Sequence, residues 1–240
     1  MKDFFSSTVG ITFEPFGVYH IIILFITFLA IFLVYQFRLR IRLSKHEKAF
    51  RYTLAFIGIF FELSLHLWQI FNGIWTYQDS FPLALCFISL VLGIYVMFTK
   101  SYSAFEIGYF WAIGAVASIL FPDIPYGPDR FRFYQFLFSH MNFFIMFMYM
   151  VFVHQYYPTF KSFKKSIIYL ILLVFCIVLP IDYFTNANFL FLINSAGTPF
   201  EIFEGYGYGI YLLGIVSLSI LVEIIWFLPI YFFTKNKLKA

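Results

Sequence analysis

Seven stretches of mostly apolar residues follow one another almost without pause, roughly 17–37, 52–72, 82–99, 104–121, 133–153, 166–184 and 207–233. Each is close to the ~20 residues that a helix needs to cross ~30 Å of hydrocarbon. A soluble fold has nowhere to hide that much apolar surface. Backbone groups in lipid find no water, so such runs must satisfy their hydrogen bonds internally, as helices. A β-barrel would need alternating segments of about ten residues, and these runs are continuous. The composition agrees. The chain is 62% hydrophobic and 12% charged, against roughly 45–50% and about 25% in ordinary soluble domains. The expected fold is therefore all-α: a polytopic membrane bundle of about seven transmembrane helices, with residues 1–240 forming one integral membrane domain. The third and fourth runs are the shortest, with only Lys100-Ser101-Tyr102-Ser103 between them.

The charges set the orientation, because loops on the cytoplasmic side of a membrane are enriched in Lys and Arg. Thirteen of the 16 basic residues fall on one side. They are Arg38, Arg40, Arg42, Lys45, Lys48 and Arg51 after the first run, then Lys100, then Lys161, Lys164 and Lys165, then Lys235, Lys237 and Lys239. The other side holds Lys2, Arg130 and Arg132 among Asp3, Glu14, Asp79, Asp123, Asp129, Asp182, Glu201 and Glu204. The basic face is thus expected in the cytoplasm. An odd number of spans then puts the N-terminus outside and the C-terminus inside. Setting topology and attracting anionic lipid account for the basic loops in general. A multi-pass protein of the cell membrane is the expected localisation.

Polar residues inside the spans are costly and so point to function. Glu62, His66 and Gln69 stand at i, i+4 and i+7 in the second run, on one helix face. In the third run Pro82 suits a first helical turn, which would place Cys86 about one turn into the membrane. The fifth run carries Gln135, Ser139, His140 and Asn142. Counted along the helices at ~1.5 Å per residue, Glu62, His66, Gln69, Cys86 and His140 share the outer half of the bilayer. Cys176 reads as a small apolar filler. His20, His46 and His154 sit at span ends or in loops and are given no role, and Glu223 lies deeper toward the cytoplasm.

Three kinds of chemistry suit such a set. In acyl transfer, His140 takes the proton from Cys86. Glu62, His66, Gln69, Ser139 and Asn142 give polar support, and Arg130 and Arg132 hold a lipid phosphate by charge-assisted bonds. In metal hydrolysis, Glu62, His66 and His140 form the ligand set. In proton-coupled transport, or a receptor-like role, the same acid and His form a relay. The first needs no cofactor and no metal. Membrane phospholipid is the expected partner and nucleic acid is not. The oligomeric state is not written in these residues.

Four short motifs carry a resemblance: Phe81-Pro82-Leu83-Ala84-Leu85-Cys86, Phe121-Pro122-Asp123, Phe138-Ser139-His140 and Asn188-Phe189-Leu190-Phe191-Leu192. Together they span nearly the whole chain, which resembles the YwaF-like integral membrane proteins of bacteria. These are similar in turn to a eukaryotic transmembrane acyltransferase that builds polyunsaturated ether phospholipids. The resemblance implies a Cys/His catalytic pair at Cys86 and His140. It also implies a polar residue, often His, two before the Cys. This chain has Ala84 there, which hands that role to His66.

Overall fold

The computed structural model describes residues 3–237. In chain order the helices are α1 (Val18–Leu43), α2 (Glu47–Phe71), the short α3 (Tyr77–Ser80), α4 (Leu85–Thr99), α5 (Tyr102–Trp111), α6 (Ile113–Leu120), α7 (Phe131–Phe152), α8 (Phe160–Leu173), α9 (Leu179–Thr185) and α10 (Tyr208–Lys237). A π-helical turn, Val174–Val178, joins α8 to α9. Among the described residues six helical stretches are long and apolar enough to cross a membrane, and α4 is a shorter apolar helix. α5 and α6 together make one crossing, and α8 to α9 another. The seven apolar runs are therefore helices of a multi-pass membrane bundle, six of them long enough to cross and α4 shorter.

The ends of the crossings differ from the sequence reading, each for a local reason. α1 runs on to Leu43 and α2 starts at Glu47, so Arg38, Arg40, Arg42, Lys48 and Arg51 sit on helix ends and only Ser44–His46 form the loop. α8 starts at Phe160 rather than 166, because Thr159 and Ser162 form a reciprocal cap across its first turn. Pro180 sits in the first turn of α9. It would clash with the carbonyl four residues back. The π turn relieves this, with the Leu179 N–H reaching back to Val174. Pro82 does not open the third crossing. Phe81 is extended, as a residue before proline prefers. The Leu83 N–H turns back to the Phe81 carbonyl at 2.7 Å, and α4 starts only at Leu85.

α7 is the central post. It packs against α1, α2, α4 and α6, and Phe133, Leu137, Phe143, Met146, Phe147 and Met150 on it are almost wholly buried. Without a hydrophobic effect between helices in lipid, close approach relies on small residues. Gly108 on α5 is one: a Cβ there would meet the Phe147 ring at 2.3 Å. Gly58 on α2 is another, hard against Met146 and Asn142.

The N-terminal segment folds back over the acidic face. Thr12 pairs with Tyr126 in an isolated antiparallel bridge, and the Gly127 N–H donates to the Ile11 carbonyl at 2.7 Å. Trp68 Nε1 donates to the Phe5 carbonyl at 2.8 Å and Arg130 Nε to the Thr8 carbonyl at 2.8 Å. Arg130 also pairs with Asp129 at 2.5 Å. Arg130→Ala is expected to loosen this cap by roughly 1.5–3 kcal/mol, the worth of a charged hydrogen bond. The bundle itself is expected to stay intact. Faster amide exchange confined to residues 4–13 would show it; unchanged protection there would refute it.

Candidate functional site

A cavity of about 630 Å³ opens between α2, α4, α6, α7, α8 and α10, near the acidic face. Glu62, His66, Gln69, Cys86, Arg132, Ser139 and His140 all line it. Ala84, Ser118, Phe189 and Ser219 line it as well. Arg130 and Asn142 do not.

Cys86 is the second residue of α4 rather than a turn inside it. The first N–H groups of a helix have no intrahelical partner, and Ala84, in the N-cap position, brings no side-chain cap. The thiol is thus carried on a first turn without a side-chain cap, the end of the helix at which the dipole favours negative charge. Its Sγ lies 3.9 Å from Ser118 Oγ on α6.

His140, one turn above Phe143 on α7, is buried. Its Nδ1 is 2.7 Å from the Phe136 carbonyl oxygen. A carbonyl only accepts, so Nδ1 carries a proton, and in the neutral ring Nε2 keeps the lone pair. The Phe136 ring at 4.2 Å and the Phe143 ring at 5.4 Å, centroid to centroid, fix the imidazole plane. The structure thus anchors one ring nitrogen, and in the neutral ring the other is an acceptor.

His66 is used differently. Trp75 Nε1 donates to its Nδ1 at 3.2 Å. An indole N–H is donor only, so Nδ1 is the acceptor and Nε2 bears the proton, which faces Glu62 Oε1 at 3.1 Å. Both ring nitrogens are occupied within the protein. This leaves His66 no lone pair for a metal, and among the described residues no three His, Cys, Asp or Glu side chains gather as metal ligands. Gln69 Oε1, one turn on, is buried with no partner among the described residues.

Arg132 Nη1 donates to Gln135 Oε1, and Gln135 Nε2 in turn donates to the Phe61 carbonyl at 3.1 Å. The guanidinium lies over the Phe136 ring at 5.0 Å. It is a cation fixed at the cavity wall. Arg130, expected beside it, is spent on the N-terminal cap. Asn142 is a cross-brace, donating to the Leu54 carbonyl at 3.1 Å. Glu223 lies one turn beyond Ser219 and is not on the cavity wall. It is buried and accepts from Ser166 Oγ at 3.2 Å.

Two residues at the site went unassigned in the sequence. Ser118 had a signal, the lone hydroxyl in the apolar stretch Ile113–Leu120. Trp75 reads as an interface anchor, and its bond to His66 depends on the reversal after Phe71. Two histidines given no role also have one. His20 accepts the Phe16 N–H at 2.9 Å and bonds the Ile119 carbonyl at 2.7 Å, joining α1 to α6. His154 lies 2.7 Å from Glu47.

Residues 15–231 match the family model described as the TMEM164 family, which covers most of the chain. No curated protein and no solved structure matches it.

Proposed function

The chain belongs to the TMEM164 family of membrane proteins, and from that premise we propose that it is a lipid acyltransferase or lipid hydrolase working through a thioester on Cys86. The observation that carries this reading is one cavity lined by both Cys86, at the uncapped start of α4, and His140, with Nδ1 already anchored. The motif resemblance to an ether-phospholipid acyltransferase supports the same pair.

His140 Nε2 takes the proton from the Cys86 thiol, and the thiolate attacks the ester carbonyl of a phospholipid. The oxyanion that forms is held by the free N–H groups of the first turn of α4. The C–O bond then breaks, and the lysolipid oxygen leaves with the proton from His140. The acyl group remains on sulfur. A second lipid hydroxyl, or water, then gives its proton to His140 and attacks the thioester, and Cys86 leaves as thiolate and is reprotonated. Arg132 holds the phosphate by charge-assisted bonds. Glu62, His66 and Gln69 give the headgroup a polar wall, with His66 in a positioning role. With the basic face in the cytoplasm, the substrate comes from the outer leaflet of the cell membrane.

The test is intact-mass spectrometry of the purified protein after incubation with phospholipid. An added acyl mass, removed by neutral hydroxylamine, is expected. No adduct, with the phospholipid unchanged, overturns the proposal.

A further inference from the structure

A second cavity, of about 560 Å³, opens at the basic face and is lined by α1, α5, α7 and α10. That volume lies within the ~300–1,000 Å³ usual for ligand sites. Its lining divides by depth. Arg42 stands at the end of α1, and Tyr35, seven residues earlier, lies ~10 Å deeper at ~1.5 Å per residue. Arg42 therefore marks the surface end, the Arg38 guanidinium lies lower against Tyr35, and Tyr109 and Trp226 continue the wall.

Among the described residues the charges at this mouth have no acidic partner. Elsewhere on the same face Arg51 and Lys100 pair with Glu47, and Lys165 pairs with Glu106. Among the described residues Arg38 and Arg42 join no ion pair, and no acid lines the cavity. Both are nevertheless held in place. Arg42 donates from Nε to the Val153 carbonyl at 2.5 Å and from Nη2 to the Phe152 carbonyl at 2.9 Å. Arg38 donates from Nη1 to the Tyr35 carbonyl at 2.6 Å and lies over the Tyr35 ring at 4.1 Å. Each keeps further N–H donors for a ligand. Leu39, another lining residue, is 56% exposed, so the cavity wall reaches the outer surface of the bundle.

From this juxtaposition we infer that the α1/α10 crevice binds one phospholipid with an anionic headgroup from the leaflet at the basic face. Two fixed guanidinium groups hold the phosphate and headgroup. The apolar wall below takes the start of an acyl chain. A basic pocket between helices on this face suits such a lipid; a free phosphate would leave the apolar wall unused. The inference does not depend on the chemistry at Cys86.

Native mass spectrometry tests it. The full-length protein in detergent is titrated with an equimolar mixture of phosphatidylglycerol and phosphatidylcholine. One retained phosphatidylglycerol is expected, favoured by at least about tenfold, the scale of a charge-assisted bond. Arg38→Gln, which leaves the Arg42 bonds to α7 in place, is expected to remove most of that preference. Leu39→Trp, a steric block at a lining position that keeps both arginines, is expected to remove it as well. Equal retention of the two lipids by the wild type overturns the site. A preference that survives Leu39→Trp also overturns it, since general attraction to the basic face then explains the binding. Thermal stabilisation by inorganic phosphate equal to that by phosphatidylglycerol would overturn the lipid assignment.

Discussion

Cys86→Ala is expected to carry no acyl mass after incubation with phospholipid, and its turnover is expected to fall to background. The side chain supplies the only bond through which the proposed intermediate exists, so no neighbouring group can substitute for it. His140→Asn is expected to lower turnover roughly 10²–10⁴-fold, the usual contribution of a general base. Asn keeps a polar side chain near the Phe136 carbonyl and removes the free imidazole lone pair. Both variants are expected to elute as the wild type does on size exclusion, because the Cys86 thiol's polar contact is a long one, 3.9 Å to Ser118 Oγ, and Asn fills much of the buried volume of His140. The measurements are intact mass and lipid product for all three proteins. An adduct that persists in Cys86→Ala would move the acyl group elsewhere, with Cys176, exposed on the sixth crossing, the first candidate. Full turnover in that variant together with loss of activity to a chelator would replace the thioester by metal chemistry.

The crossings were legible because hydrocarbon allows one answer to a run of ~20 apolar residues. Their ends were not, because a charged residue in a helix and one in a loop look alike without the partner. Glu47, Lys48 and Arg51 read as loop and are the first turns of α2, where Glu47 gathers Arg51, Lys100 and the His154 ring. The start of α4 was misread for a different reason. Proline fits a first turn, but here the Phe81–Leu83 turn moves the start to Leu85. That shift matters to the chemistry, since it moves Cys86 into the uncapped turn. At the site, spacing within one helix was enough: Glu62 and His66, at i and i+4, are in contact. Pairings across the chain were not available to spacing. Nothing in residues 3–16 announces that they fold over the acidic face, so Arg130 looked free for a headgroup. Asn142, on the polar stretch of α7, in fact faces α2.

Glu47→Ala is expected to be the most damaging single change in the basic half of the bundle. Glu47 Oε1 meets Arg51 Nε at 3.0 Å, His154 Nε2 at 2.7 Å and the Tyr149 hydroxyl at 3.2 Å, while Oε2 meets Lys100 at 3.4 Å. The Arg51 side chain is only 5% exposed, and its Nη1 already lacks a partner among the described residues. Taking away the carboxylate leaves a buried guanidinium without a counter-charge, which costs about 3–5 kcal/mol. For a chain of this size that is roughly 6–20 °C in melting temperature, at about 2–4 °C per kcal/mol. The double variant Glu47→Met with Arg51→Met removes both charges and is expected to recover much of the loss, as replacing a buried pair by apolar residues often does. Acid acts on the same cluster. Burial holds His154 below the ordinary imidazole range, so the folded state prefers the neutral ring. Its contribution is then full above about pH 6.5, the unfolded value, and is lost as the pH falls below that and through the lower folded value, because in that window the unfolded chain takes up a proton that the folded one resists. Thermal melts of wild type, Glu47→Ala and the double variant at pH 7.5 and 5.5 would read all of this. A Glu47→Ala protein melting within a degree or two of the wild type would mean that water or lipid already screens Arg51, and the cluster would hold the α2–α7 corner by packing alone.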